Sequence, residues 1–155
     1  MKKAVWTILS LMMCLAVMTG CSSRGNDNGA GASGDGLTIE VSALNSDVTY
    51  FDYNAGGTAM QVIARVDDTG TPRLSYNTCQ SCNGSPYAYF EVQNGVLICR
   101  NCGNLFSFDS IGAARQGGCM PIPVEDYTVE DGKITISAEV LNGMKSAFVN
   151  WKKGL

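Results

Sequence analysis

Beyond residue 36 the chain alternates short apolar stretches with clusters of turn-forming residues. Period-two alternation or short apolar runs mark Leu37 to Ala43, Val48 to Tyr53, Ala59 to Val66, Tyr87 to Val92, Val96 to Ile98, Ile134 to Ser137 and Ala147 to Trp151 as strands. Asp67 to Gly70, Gln93 to Gly95 and Glu130 to Gly132 have the composition of hairpin turns. No stretch of ten or more residues keeps a helical period, although Val140 to Lys145 can hold one turn. The pattern predicts a mainly β class: a small antiparallel β domain with a loop-rich insertion from Tyr76 to Pro123.

The first 36 residues follow a different pattern. Lys2 and Lys3 precede an apolar run from Ala4 to Val17, and Met18, Thr19 and Gly20 lead into Cys21, the layout of a secretory signal. About 14 apolar residues fall short of the roughly 20 that a spanning helix needs. Small residues directly before a cysteine resemble a lipobox, with Met18 where Leu is usual; Cys21 would then carry lipid and begin the mature chain. Ser22 to Gly36 (SSRGNDNGAGASGDG) holds no large apolar residue and reads as a flexible tether. The expected organisation is a lipoprotein signal over 1–20, a lipidated Cys21 with linker over 21–36, and a β-rich metal-binding domain over 37–155.

Composition narrows the partners. Without Lys2 and Lys3, nine basic residues face 14 acidic ones. A net acidic domain with no Lys/Arg cluster argues against nucleic acid and against electrostatic docking on anionic lipid, which leaves covalent lipid as the expected anchor, on the extracytoplasmic face of the cell membrane. No paired carboxylates, phosphate loop or serine elbow suggests a hydrolase or an ATPase. The acids Asp109, Glu125, Asp126, Glu130 and Asp131 sit in turn-rich stretches and read as solvated loop residues.

The cysteines change the picture most. With Cys14 in the signal and Cys21 lipidated, five remain: Cys79, Cys82, Cys99, Cys102 and Cys119. Four of them form two CxxC pairs sixteen residues apart. At that spacing two tight turns each offer two thiolates, which can converge on one ion or a small cluster. Gly84 and Gly103 follow the pairs and permit the positive φ that turns backbone amides toward sulfur. Two disulfides would suit an oxidising compartment, but a CxxC bridge closes a strained loop and five is an odd number. A thioredoxin-like motif lacks its βαβ setting. The chain contains no His, which excludes His-ligated zinc catalysis, a Cys/His nucleophile and a true Rieske centre.

Residues Ile98 to Ile136 resemble the second half of a Rieske-type domain, with Cys102 where the knuckle's His would stand. The combination of CQSC, ICRNCGNLF and GGCMPIP is more closely similar to the family of membrane iron-sulfur containing, FtrD-like domains, over roughly Ala43 to Trp151. The resemblance implies a Rieske-like, rubredoxin-knuckle subdomain holding an iron-sulfur cluster or iron on Cys79, Cys82, Cys99 and Cys102. It implies a part in iron acquisition or electron transfer beside an iron permease or a redox protein, although here the domain stands alone behind a lipobox. Cys119 and Met120 would lie near the site if their loop folds over it, Cys119 serving as spare ligand, gate or buried thiol. Phe106, Phe108 and Tyr127 would pack behind the knuckles.

Three functions follow in order. The first is an electron carrier or iron-uptake accessory and not an enzyme; all-thiolate clusters of plant type lie near about −400 mV. The second is a structural zinc site stapling a binding module. The third is handling of a copper or iron ion in transit, with Cys119 and Met120 as soft donors.

Overall fold

The computed structural model describes residues 30–34 and 36–153. In chain order its strands are β1 (Ala30–Ser33), β2 (Gly36–Glu40), β3 (Thr49–Ala55), β4 (Thr58–Val66), β5 (Pro72–Cys79), β6 (Phe90–Gln93), β7 (Val96–Cys99), β8 (Leu105–Phe106), β9 (Pro121–Pro123), β10 (Thr128–Glu130) and β11 (Lys133–Ser137). One α-helix, α1 (Ala138–Gly143), follows, its first turn capped by the Ser137 hydroxyl accepting from the Val140 amide. The strands form three antiparallel sheets in the orders β1-β2-β11-β10, β3-β4-β5-β9 and β6-β7-β8. The class is mainly antiparallel β, as the alternation predicts. The lipobox, Cys21 and residues 22–29 lie outside the described residues. Within those described, no helix is long and apolar enough to cross a membrane.

Strand β4 explains how two cores share one sheet. Met60, Val62 and Ala64 join Phe51, Tyr53, Leu74 and Tyr76 in the larger core, against Leu37, Ile39, Ile134 and Ile136 of the first sheet and Leu141, Phe148 and Trp151. Ile63 points the opposite way, into a smaller core with Ala88, Phe90, Leu97, Ile111, Cys79 and Cys99. A strand covered on both faces needs no polar alternation, and residues 60–65 are all buried.

The face toward the smaller core is partly polar and fully bonded. Asn77 donates through Nδ2 to Gln61 Oε1 (2.7 Å), accepts from the Phe90 amide at Oδ1 (2.7 Å), and offers its carbonyl to Trp151 Nε1 (2.9 Å). Lys153 Nζ reaches Gln61 Oε1 at 2.8 Å and lies 3.8 Å from the centre of the Tyr50 ring. Central sheet, cysteine-bearing sheet and C-terminal segment thus meet at one buried amide.

Several expectations are corrected. Ala147 to Trp151 is not a strand: Lys145–Phe148 is a 3₁₀ turn, and its spacing of three puts Phe148 and Trp151 on the same buried side, their rings 5.5 Å apart. Strand β5 was not among the expected strands and runs into the stretch from Tyr76 read as a loop-rich insertion; its run was hidden by the buried polar residues Ser75, Asn77 and Thr78. The tether does not persist to residue 36, since Ala30–Ser33 pairs with Gly36–Ile39. Strand β2 stops at Glu40 and continues as a 3₁₀ turn, Val41–Ala43. Tyr87 is 58% exposed, and β6 begins only at Phe90.

Candidate metal centre

Each CxxC pair sits where a strand runs out into a tight turn. Strand β5 ends at Cys79 and β7 ends at Cys99, and both residues are buried because they face the smaller core. The two turns then repeat one geometry: the Asn83 amide donates to the Cys79 carbonyl (2.9 Å) and the Gly103 amide to the Cys99 carbonyl (2.8 Å). Gly84 has φ +96° and Gly103 φ +75°, conformations that a side chain rarely adopts. This chain reversal turns amides onto sulfur. Cys82 N–H donates to Cys79 Sγ (3.3 Å), and the backbone amides of Cys102 and Asn101 act to lower the Cys99 thiol, as that of Asn104 does the Cys102 thiol. Ser85 and Asn101 hydrogen-bond between the turns (2.6 Å).

A third segment closes the cluster from the side. Strand β9 pairs with the end of β5, Pro121 opposite Cys79 across a bulge, so the residues just before β9 lie over the first turn. The Gln80 amide donates to the Met120 carbonyl (2.9 Å), Gln80 Nε2 to the Pro121 carbonyl (3.2 Å), and the Ser81 hydroxyl to the Gly118 carbonyl. Cys119 is thereby carried to the thiols. The Sγ atoms of Cys79, Cys82 and Cys119 all lie within 4.8 Å of one another, as do those of Cys82, Cys99 and Cys102. The five cysteines among the described residues are free thiols.

The electrostatics divide an inner from an outer pair. Burial, reinforced by contact with Cys82, pushes the Cys79 thiol far up; burial pushes Cys99 up to about 11 against the opposing amides of Cys102 and Asn101. For Cys102, which is exposed, desolvation is the largest single influence and raises it. The Asn104 amide and the thiols of Cys119, Cys99 and Cys82 together outweigh that and lower it. Cys119 is raised, first by its contact with the Cys102 thiol and then by desolvation. A metal would have to displace protons from two buried thiols, which only a strongly thiophilic ion does.

The other sequence candidates separate. Phe106 and Phe108 pack against the smaller core, whereas Tyr127 packs on the larger one, its hydroxyl donating to the Pro72 carbonyl (3.3 Å). Asp109 pairs with the buried Arg65 (3.0 Å) and Glu125 with Arg115 (3.3 Å), so neither joins the thiols. Met120 is half-buried and meets the first turn through its carbonyl. Arg65, 5% exposed, bonded to the Ser46 carbonyl and 5.9 Å from the Phe108 ring, had no signal in the sequence, since an Arg in a strand usually reads as surface. The donor set is thus thiol only, backed by amides, and it fits a metal ion or an iron-sulfur cluster.

Among known proteins, the model of the family described as membrane iron-sulfur containing protein, FtrD-like, matches residues 44–148. No curated protein and no solved structure matches the chain.

Proposed function

Because the chain belongs to the FtrD-like family of membrane iron-sulfur containing proteins, we propose that Cys79, Cys82, Cys99 and Cys102 hold an iron-sulfur centre that carries electrons for iron handled at a membrane. The observation that carries this reading is the gathering of these thiols on two matching turns at strand ends, with the Cys82 amide donating to Cys79 Sγ (3.3 Å). Donated N–H bonds stabilise thiolate charge and raise the potential of a redox metal. When bound, such a centre supplies one-electron chemistry. The chain's own residues would hold Cys79 and Cys99 away from water behind Phe90, Leu97 and Ile111, and leave Cys102 at the exposed edge where a partner can approach. In this reading lipid on Cys21 anchors the domain at the extracytoplasmic face, with an iron permease or a redox protein as partner.

The test is metal and acid-labile sulfide analysis, with absorption and paramagnetic resonance spectra, on protein purified without oxygen. Iron with sulfide-to-iron bands that bleach on reduction supports the proposal. Stoichiometric, colourless zinc overturns it and makes the domain a zinc-stapled binding module. Anchoring is tested separately: Cys21→Ser should move the protein from the membrane fraction to the soluble one.

A further inference from the structure

An iron-sulfur cluster takes four thiolates from the protein that holds it, and here five thiols meet. Three of them have fixed places. Cys79 and Cys99 end strands β5 and β7 and are buried in the smaller core, and the Cys82 sulfur lies within 4.8 Å of both. The other two share the rim. Cys102 is exposed and Cys119 only partly buried, and their thiols are in contact with each other. The Cys102 sulfur lies within 4.8 Å of Cys82 and Cys99, the Cys119 sulfur within 4.8 Å of Cys82 and Cys79. Both rim thiols thus stand next to Cys82 and next to one buried anchor.

Cys119 is held at that rim by bonds that belong to no other element. The Gln80 amide and side chain and the Ser81 hydroxyl donate to the carbonyls of Met120, Pro121 and Gly118, which tie its loop to the first turn. Gly117 and Gly118, both at φ +79°, make the reversal that brings the loop back over the thiols. A Cβ at Gly103, Gly117 or Gly118 would meet nothing within 4 Å. The backbone beside each rim thiol is therefore uncrowded, with room for the small shifts that an exchange of ligands needs.

We propose that Cys102 and Cys119 are alternate ligands for one corner of the iron-sulfur centre, whose other three corners belong to Cys79, Cys82 and Cys99. This assignment rests on the iron-sulfur reading above, and it gives the fifth thiol a role. In the exchange one iron–sulfur bond forms as another breaks, and the incoming Cys119 thiol passes its proton to the departing Cys102 thiolate. Charge and oxidation state are unchanged. The corner that solvent reaches first is then the one with a second thiol beside it. Ligation by four thiolates survives the displacement or chemical modification of Cys102.

The experiment compares the full chain in detergent, purified without oxygen, with Cys102→Ser, Cys119→Ser, the double variant and Cys99→Ser. Iron, acid-labile sulfide and absorption spectra are measured, thiols are mapped by alkylation and mass spectrometry, and circular dichroism checks the fold. Each single rim variant should keep the iron and sulfide content of the unmodified chain, whereas Cys99→Ser and the double variant should lose most of it. In Cys102→Ser the Cys119 thiol should become protected from alkylation. A folded Cys102→Ser without the centre, or one that keeps it with Cys119 still alkylated, overturns the proposal. So does loss of the centre in Cys119→Ser, which would make Cys119 an obligatory ligand, or its full retention in the double variant. If Cys102→Ser does not fold, limited alkylation of Cys102 in the loaded, unmodified chain replaces it. The centre should then persist with Cys119 protected, and its loss in step with Cys102 modification overturns the proposal. Absence of iron and sulfide from the unmodified chain overturns the iron-sulfur reading itself, and the shared corner with it.

Discussion

Replacing Asn77 by Ala tests the seam on which the cysteine-bearing sheet hangs. Asn77→Ala removes two side-chain bonds of 2.7 Å, one to Gln61 and one from the Phe90 amide. Gln61 Oε1 keeps Lys153 as a donor, and the Trp151 bond survives because it goes to the Asn77 carbonyl. The Phe90 amide is left buried without an acceptor, a cost of about 1–3 kcal/mol, to which the other lost bond adds about 1 kcal/mol. The sum, about 3 kcal/mol, corresponds to a fall in Tm of roughly 10–15 °C for a domain of this size. Denaturant unfolding of the reduced, metal-free protein measures it, with hydrogen exchange of the Phe90 amide as the local probe. Phe90 pairs with Cys99 across β6 and β7, so lost protection there should accompany faster alkylation of Cys99. A loss below about 1 kcal/mol, or a large loss with Phe90 still protected, refutes the reasoning.

The remaining predictions concern neighbouring features. Thr78 Oγ1 is buried without a hydrogen-bond partner, so Thr78→Val, of the same shape, should stabilise by about 1 kcal/mol in denaturant unfolding; a destabilisation would mean the hydroxyl is bonded. Gly36 has φ +135°, and a Cβ there would stand 2.3 Å from the Ile136 carbonyl oxygen, so Gly36→Ala should cost at least about 2 kcal/mol, read as a lowered Tm. Burial raises the thiols of Cys79 and Cys99 and contact with Cys102 raises Cys119, against a lowered Cys102. A thiol raised in the folded state stabilises below its unfolded value and loses that contribution as pH climbs through the folded one. The metal-free domain should therefore keep its stability up to about pH 8.5 and weaken toward pH 11. Metal-loaded protein, its thiols already deprotonated, should show a flatter unfolding profile over that range.

Strands β4 and β5 lie side by side, yet only β4 is visible in the apolar pattern. Ala59 to Val66 is a near-continuous apolar run, whereas β5 buries Ser75, Asn77 and Thr78 beside Leu74 and Tyr76. Polar residues enter the interior there because Asn77 and Ser75 have specific partners, Gln61 and Phe90 for one and the Gly112 amide for the other. Such partners are set by tertiary contact, which a one-dimensional pattern does not carry. The same division runs through the site. Two CxxC pairs and their glycines act within a few residues, and the turns around Cys79 and Cys99 were legible. The approach of Cys119 depends on Pro121 pairing with Cys79 across 42 positions, a register that spacing does not encode.

The bonds that hold residues 150–153 in place have a kinetic consequence. Asn150 reaches Gly84 across 66 positions, Trp151 reaches Asn77 across 74, and Lys153 reaches Gln61 across 92. Closing loops of that length costs chain entropy before any contact rewards it, so these bonds form late. The two sulfur-bearing turns close over four residues and need no such wait. During folding, then, the turns are expected to close before the segment that seals the seam docks, so that thiols can meet metal while the interior is still open.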